Sequence, residues 1–347
     1  AYTYSATNQF NKSEQMYKLA LKKIEYSAKI APQPLVLYYV GLARLYYQTN
    51  KFNECERINK LALEINERLA ESNPQAYEMN LVVSYESIAN LYLELHYFSE
   101  CEQMCKSALK IYKRWAETNP QKYEPLLVTF YNTLACLYYD THRFNECEQM
   151  HKTALEIRKR LAETYPHVYK SDLAASYDGP ALLYRDTQRF DESEQMHKLA
   201  LEIWKRLAES NPQAYKSNLA ASYNSLALLY RDTQRFGESE QMHKLALEIW
   251  KRLAESNPQA YEPNLAVSCG NLAILYNDIQ RFDESKQMHK LALEIWKRLA
   301  ESNPQAYEPD LATSYYNFGN LYYRAQQFAE SELMYVSALS IYEHLTK

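Results

Sequence analysis

Four histidines, His151, His197, His243 and His289, stand 46 residues apart, and a regular column of imidazoles is the raw material of a metal array. Cys55, Cys101 and Cys147 recur with the same period, and Cys105 lies one helical turn beyond Cys101. Thiols so placed suggest zinc or a vicinal redox pair. Distance decides against a shared metal: neighbouring helices pack about 8 to 10 Å apart, too far for histidines on successive units to hold one ion near 2 Å. Tyr17, Asn59, Cys105 and Tyr335 occupy the register of the histidines, which marks that column as packing. The cysteines share theirs with Ser193, Ser239 and Ser285, so small side chains filling a helix crossing, reduced and inert, are expected. No Gly-rich phosphate loop, nucleophile elbow or HExxH is present. The residues describe a protein that is not an enzyme and needs no metal or cofactor.

The elements that carry these columns repeat along the chain. Phe52, Phe98, Phe144, Phe190, Phe236, Phe282 and Phe328 follow one another at 46 residues, and Phe10 precedes Phe52 by 42. Nine residues before each Phe of the 46-residue series stand Ala43, Ala89, Ala135, Ala181, Ala227, Ala273 and Gly319. Six before it stand Tyr46, Tyr92, Tyr138, Tyr184, Tyr230, Tyr276 and Tyr322. Ala1, Tyr4 and Thr7 match Ala227, Tyr230 and Thr233, so the sequence is read as opening inside a helix, with more repeat expected upstream.

Each unit reads as two helices. Leu219, Tyr223, Leu226, Ala227 and Tyr230 form one stripe of 3.6-residue period; Met242, Leu245, Ala246, Ile249, Trp250 and Leu253 form a second. Asn257-Pro258 is expected to end the second helix, and Pro263 to open the next, where its missing N–H is harmless. Spans of about 17 and 19 residues give rods of roughly 25 and 28 Å. The expected organisation is one all-α solenoid over 1–347: a partial unit 1–30, then helix pairs 33–72, 79–118, 125–164, 171–210, 217–256, 263–302 and 309–347.

Composition agrees with packed helices. Of the 347 residues 47% are hydrophobic and 24% charged, and no apolar run approaches the length of a membrane span. The opening AYTYSATNQF lacks the regions of a signal peptide, so a cytoplasmic location is expected. A net charge of −4 offers no bulk attraction to nucleic acid or anionic lipid. Five glycines beside 33 tyrosines imply few left-handed turns and many flat rings with a polar tip.

The order Leu226-Ala227, Tyr230, Phe236, Ser239 and Ala246 resembles the tetratricopeptide repeat (TPR). The longer unit with YNSLALLY and ESEQMHKLALEI is similar to the kinesin-light-chain-like subclass. The 46-residue unit exceeds the common repeat of about 34, so the family's superhelical pitch does not transfer. The resemblance implies a right-handed superhelix whose first helices line a concave groove for extended peptides or helices of partner proteins.

Three columns of the first helix vary between copies and, on that family geometry, face the groove. Twelve before Phe are Val40, Glu86, Asn132, Asp178, Asn224, Gly270 and Tyr316; eight before it, Arg44, Asn90, Cys136, Leu182, Leu228, Ile274 and Asn320. Five before it are Tyr47, Leu93, Tyr139, Arg185, Arg231, Asn277 and Tyr323. Either these positions read a non-repeating partner or they drift as exposed positions do. The asparagines could clamp a peptide backbone amide and the tyrosines offer rigid contact area. Arg185 and Arg231 form either a charge ladder for an ionic ligand or pairs with their neighbours Asp186 and Asp232. The candidate partner-binding set is Arg44, Tyr47, Glu86, Asn90, Asn132, Tyr139, Arg185, Asn224, Arg231, Asn277, Tyr316, Asn320 and Tyr323.

Asp178-Gly179-Pro180 stands where the next unit has Asn224-Ser225-Leu226, and a proline inside a helix costs about 3 kcal/mol, so a bend is expected there. The functional expectation is an adaptor that recruits a protein or peptide partner, with self-association compatible with such a stack. The alternative is a sensory or regulatory arm of a larger signalling protein. Nucleic-acid binding is disfavoured by the charge.

Overall fold

The computed structural model describes residues 10–24 and 33–345. The register of Ala1, Tyr4 and Thr7, and the helix expected to contain them, lie outside the described residues. The chain divides into two compact units, residues 1–163 and 164–347. Unit 1 carries α1 (Phe10–Ile24), α2 (Gln33–Gln48), α3 (Phe52–Ser72), α4 (Pro74–Glu94), α5 (Phe98–Thr118), α6 (Pro120–Asp140) and α7 (Phe144–Thr164). Unit 2 carries α8 (Pro166–Ala175), α9 (Asp178–Asp186), α10 (Phe190–Ser210), α11 (Pro212–Asp232) and α12 (Phe236–Ser256). It continues with α13 (Pro258–Asp278), α14 (Phe282–Ser302), α15 (Pro304–Arg324) and α16 (Phe328–Leu345). The fold is all-α, a solenoid of tandem helix pairs in which, from α3 on, a first helix opening on Pro, split into α8 and α9 in one pair, alternates with a second helix opening on Phe. No helix among the described residues is long and apolar enough to cross a membrane.

The Asn-Pro pairs do more than end a helix. Asn257 accepts a hydrogen bond from the Ala260 amide at 3.2 Å, and Pro258 follows as the first helical residue of α13. An N-cap asparagine satisfies one of the four orphan amides, and proline at the next position lacks a donor that would be unpaired anyway. The first helices therefore begin five residues earlier than expected. Pro263 lies inside α13, as Pro125 and Pro309 lie inside α6 and α15. Both helices of the pair α11 and α12 run 21 residues, because the NPQAY segment is helix rather than connection.

The turn from first to second helix corrects the reading of the glycine count. Gln234 has φ 58°, and the amides of Arg235 and Gln234 reach back to the carbonyls of Tyr230 at 2.7 Å and Arg231 at 2.9 Å. This double closure is a Schellman motif, whose left-handed residue is usually glycine. Asn50, His96, His142, Gln188, Gln280 and Gln326 take the same conformation, each against a cost of about 1 kcal/mol. Left-handed turns are thus regular here, and glycine is simply not the residue that makes them.

Within unit 2 the stripes interlock as read. Ala220, Leu226, Leu229, Ala246 and Trp250 share one buried cluster, and full burial of one such leucine contributes roughly 2 kcal/mol. Trp204, Trp250 and Trp296 meet Tyr215, Tyr261 and Tyr307 at 6.1, 6.2 and 6.1 Å. In unit 1 Tyr17, Leu42, Leu45, Tyr46, Cys55 and Ile58 form the corresponding core.

The bend expected at Pro180 is a break. A helix through this region would need an amide at Pro180 for the Ser176 carbonyl, and the ring would collide with that oxygen. The helix accordingly stops at Ala175, turns at Ser176-Tyr177 and restarts as α9 at Asp178. The Ser176 hydroxyl donates to the Asp172 carbonyl at 2.7 Å across the break.

Candidate functional site

Within each unit, successive helix pairs are joined by a repeated polar clasp, which separates what holds the stack from what is left over. Glu194 on α10 accepts hydrogen bonds from Tyr230 of the next first helix at 3.0 Å, Arg235 at 2.6 Å and its own-helix Lys198 at 2.7 Å. Glu240 repeats this with Tyr276 at 3.1 Å, Arg281 at 2.8 Å and Lys244 at 2.7 Å. In unit 1 Glu102 receives Tyr138 at 2.8 Å, Arg143 at 2.5 Å and Lys106 at 2.6 Å. Partial burial resists ionisation of Glu102, but bonds from Arg143, Lys106 and Tyr138 outweigh it and hold the carboxyl at about 2. The arginine planes also cover the tyrosine rings, Arg235 lying 4.2 Å from the Tyr230 centroid.

The histidine column lies beneath the first helices. His243 is fully buried, and its Nδ1 lies 3.1 Å from Asn224 Oδ1. Burial, with Arg231 nearby, pushes it down to about 4, so the neutral ring donates from Nδ1. His289 stacks on Phe318 at 5.3 Å. Burial holds His197, with Arg185 assisting, and His289 at about 4 as well. Among the described residues no group of three His, Cys, Asp or Glu comes together as a metal site.

The structure distributes the sequence-derived groove candidates unevenly. Arg185 lies 3.2 Å from Asp186 and 3.9 Å from Asp232; Arg231 lies 3.6 Å from Asp232 and 3.8 Å from Asp278. Asp278 also accepts from Arg324 at 3.2 Å. These charges form rungs between neighbouring first helices, so of the two sequence readings mutual pairing holds. In unit 1 the Tyr47 hydroxyl is tied to Glu94 on the next first helix, which raises its pKa. Tyr47, Tyr139 and Tyr323 rest edge-on against Phe52, Phe144 and Phe328 at 6.1, 6.0 and 5.7 Å.

Other candidates also serve the packing. Glu86 accepts from the Tyr112 hydroxyl at 3.0 Å, Asn320 from the Tyr335 hydroxyl at 2.7 Å, and Tyr316 lies 5.7 Å from the Tyr335 ring. Asn277 is buried at 7% exposure. Arg44, Asn90 and Asn132 differ: all are in unit 1, Arg44 and Asn90 are exposed and Asn132 half-buried, and no other described side chain engages them. Sequence reasoning missed Asp278 and Glu94 as rung partners, because the link joins adjacent columns of different copies.

Two helices per unit, the alanine and phenylalanine registers and the buried stripes define a tetratricopeptide-type repeat. A tetratricopeptide repeat model matches residues 172–252, 218–298 and 261–344, and a second matches residues 127–165. The chain belongs to the tetratricopeptide repeat family. No curated protein matches the sequence. Among solved structures the chain is similar to BtubC (BKLC) from P. vanneervenii, at 24% identity over 70% of this chain and 89% of that one, TM-score 0.57. It is similar to the quorum sensor NprR from B. thuringiensis at 15% identity, covering 98% and 85%, TM-score 0.56. A Signal Transduction ATPase with Numerous Domains from Pyrococcus horikoshii, described with a tetratricopeptide repeat sensor, is 13% identical, covering 97% of this chain and 48% of that one, TM-score 0.59. At these identities the likeness is one of fold.

Proposed function

We propose that the chain is a non-enzymatic adaptor that holds a peptide or helix of a partner protein against its first helices. The observation that supports this reading is a contrast within the candidate columns: Arg44, Asn90 and Asn132 have no side-chain partner among the described residues, while Asn224 and Asn320 at matching positions are tied into packing. An asparagine amide presents paired donor and acceptor to an extended backbone, and Arg44 adds a charge for a carboxylate. Affinity capture with the parent chain and with an Arg44→Ala, Asn90→Ala, Asn132→Ala variant tests it. Partners retained by the parent and lost by the variant are expected; equal recovery rejects this face. The alternative, a regulatory arm of a larger signalling protein, draws on the sensor described for the Pyrococcus horikoshii protein. Partner-induced self-association in sedimentation, without a stable stoichiometric complex, would favour it.

A further inference from the structure

A second recess lies on another side of unit 1. Residues on α5 and α6, with Met150 of α7, line a cleft of about 550 Å³. Its floor is Leu109, Tyr131, Leu134 and Tyr138, and its rim carries Lys106, Lys110, Lys113 and Arg114. On α6, Tyr131, Leu134 and Tyr138 occupy a different face from Asn132, Cys136 and Tyr139, because each residue advances about 100° around the helix. This cleft is therefore separate from the proposed groove.

The chain contains its own control for the charge at this rim. Twelve residues after the phenylalanine, five of the other copies have Glu64, Glu156, Glu202, Glu248 and Glu294, the last has Ser340 and the first has Lys22; α5 has Lys110. Where that glutamate is present it can take the arginine four residues on, as Glu202 takes Arg206 at 2.5 Å and Glu248 takes Arg252 at 2.5 Å. On α5 the arginine, Arg114, is held by Glu78 of α4, as Arg160 and Arg298 are held by Glu124 of α6 and Glu262 of α13, and Lys106 by Glu102. Lys110 is exposed, with no partner among the described residues. Lys113 meets only the Tyr131 ring, 5.6 Å from its centroid. Glu117 is the one carboxylate among the residues lining the cleft. Two uncommitted ammonium groups thus stand over an apolar floor.

The geometry points to a second interaction surface, in which this cleft takes an acidic peptide segment carrying one apolar or aromatic side chain. Ammonium groups and carboxylates supply charge complementarity, and the recess takes the anchor. A recess of this size suits a side chain better than it suits a flat anionic membrane.

A fluorescein-labelled glutamate-rich peptide with one central phenylalanine, and its glutamine counterpart, provide the probe in fluorescence anisotropy. The glutamate peptide is expected to bind saturably and to weaken with added salt, the glutamine peptide to bind poorly. Lys110→Glu installs the residue carried by five other copies, so the fold is retained, as an unchanged helical circular dichroism spectrum will show; affinity should drop about tenfold. The Arg44→Ala, Asn90→Ala, Asn132→Ala variant should bind the probe as the parent does, which separates this site from the groove. Equal affinity of Lys110→Glu and parent, equal binding of the glutamine peptide, or Lys110-dependent binding to phosphatidylserine vesicles with none to the peptide would each overturn the assignment.

Discussion

Three residues into each second helix, unit 1 has Ser13 and then Cys55, Cys101 and Cys147, where unit 2 has Ser193, Ser239, Ser285 and Ser331. The serine hydroxyls donate to carbonyls of the preceding first helix, Ser193 to Ala181 at 2.7 Å and Ser239 to Ala227 at 2.8 Å. The thiols fill the same buried crossing as weak donors. Farther along the same helices unit 1 has Asn66, Tyr112 and Arg158, and unit 2 has Trp204, Trp250 and Trp296. Unit 2 therefore repeats one packing solution three times, whereas unit 1 solves each interface differently. Unit 1 also holds the uncommitted groove residues and the basic cleft. The lesson is physical: a repeated interface constrains its neighbours to match it, while a varied one leaves positions over which a partner's chemistry can be read.

The largest test of that contrast lies at the tryptophan position. Trp250 is buried at 4% exposure against Tyr261, so Trp250→Ala should cost about 4 kcal/mol through lost burial and a cavity. At the matching place in unit 1, Asn66 is also buried but works through hydrogen bonds, donating to Ser84 Oγ at 2.8 Å and the Asn80 carbonyl at 3.2 Å. Asn66→Ala should cost about half as much. Urea unfolding of the two variants measures this, and equal losses would show that the two units do not differ in how they use this column.

Acid should separate the units next. The buried column of unit 2 contains His197, His243 and His289, each held near 4. In unit 1 the column has Tyr17, Asn59 and Cys105, with His151, also pushed by burial to about 4, as its single histidine. A histidine depressed in the folded state from 6.5 binds its proton first in the unfolded chain. Its neutral burial is harmless above 6.5, and stability is lost as pH falls from 6.5 toward 4. The loss is on the order of 3 kcal/mol per histidine at the low end. The clasp glutamates Glu102 and Glu194, held near 2 by their cations, and Glu240, lowered in the same way, keep their contribution above their ordinary 4.5 and lose it only as pH falls through the lower range. Hydrogen exchange from pH 7 to 5 should therefore show unit 2 opening before unit 1. His243→Asn, which copies Asn59, should flatten the dependence; an unchanged pH profile would remove the histidines from the account.

The fold was legible in the sequence because burial repeats with the chain. Leu226, Ala227 and Tyr230 occupy the core in every copy that has them, and the break at Ser176-Tyr177 follows from the single misplaced ring of Pro180. The helix starts were less legible, since Asn257-Pro258 can be read as an end or a beginning until the asparagine is seen to cap α13. The left-handed turns were hidden because Gln234 and its equivalents hold a conformation ordinarily signalled by glycine. The groove was the least legible part. At the column of Arg231 the sequence left open both readout of a partner and pairing with a neighbouring aspartate; the structure adds Asp278 of the adjacent helix at 3.8 Å, and no periodicity within one copy shows a pair made between two.

The smallest effect is the most direct exchange between the units. Ser239→Cys gives unit 2 the residue of unit 1 at a fully buried crossing where size is nearly conserved. The Ala227 carbonyl sits in a helix and keeps its backbone partner, so the substitution removes one net hydrogen bond and leaves no orphan acceptor. A loss of about 1 kcal/mol is expected, read as a small downward shift of the urea midpoint with an unchanged slope. The reverse change, Cys147→Ser, should gain stability if the crossing in unit 1 can bring its hydroxyl onto the Ala135 carbonyl, and lose it if the varied packing there holds the two apart. Opposite signs for the two exchanges would mean the units share one crossing geometry. Losses in both would mean that each sulfur or oxygen is fitted to its own interface.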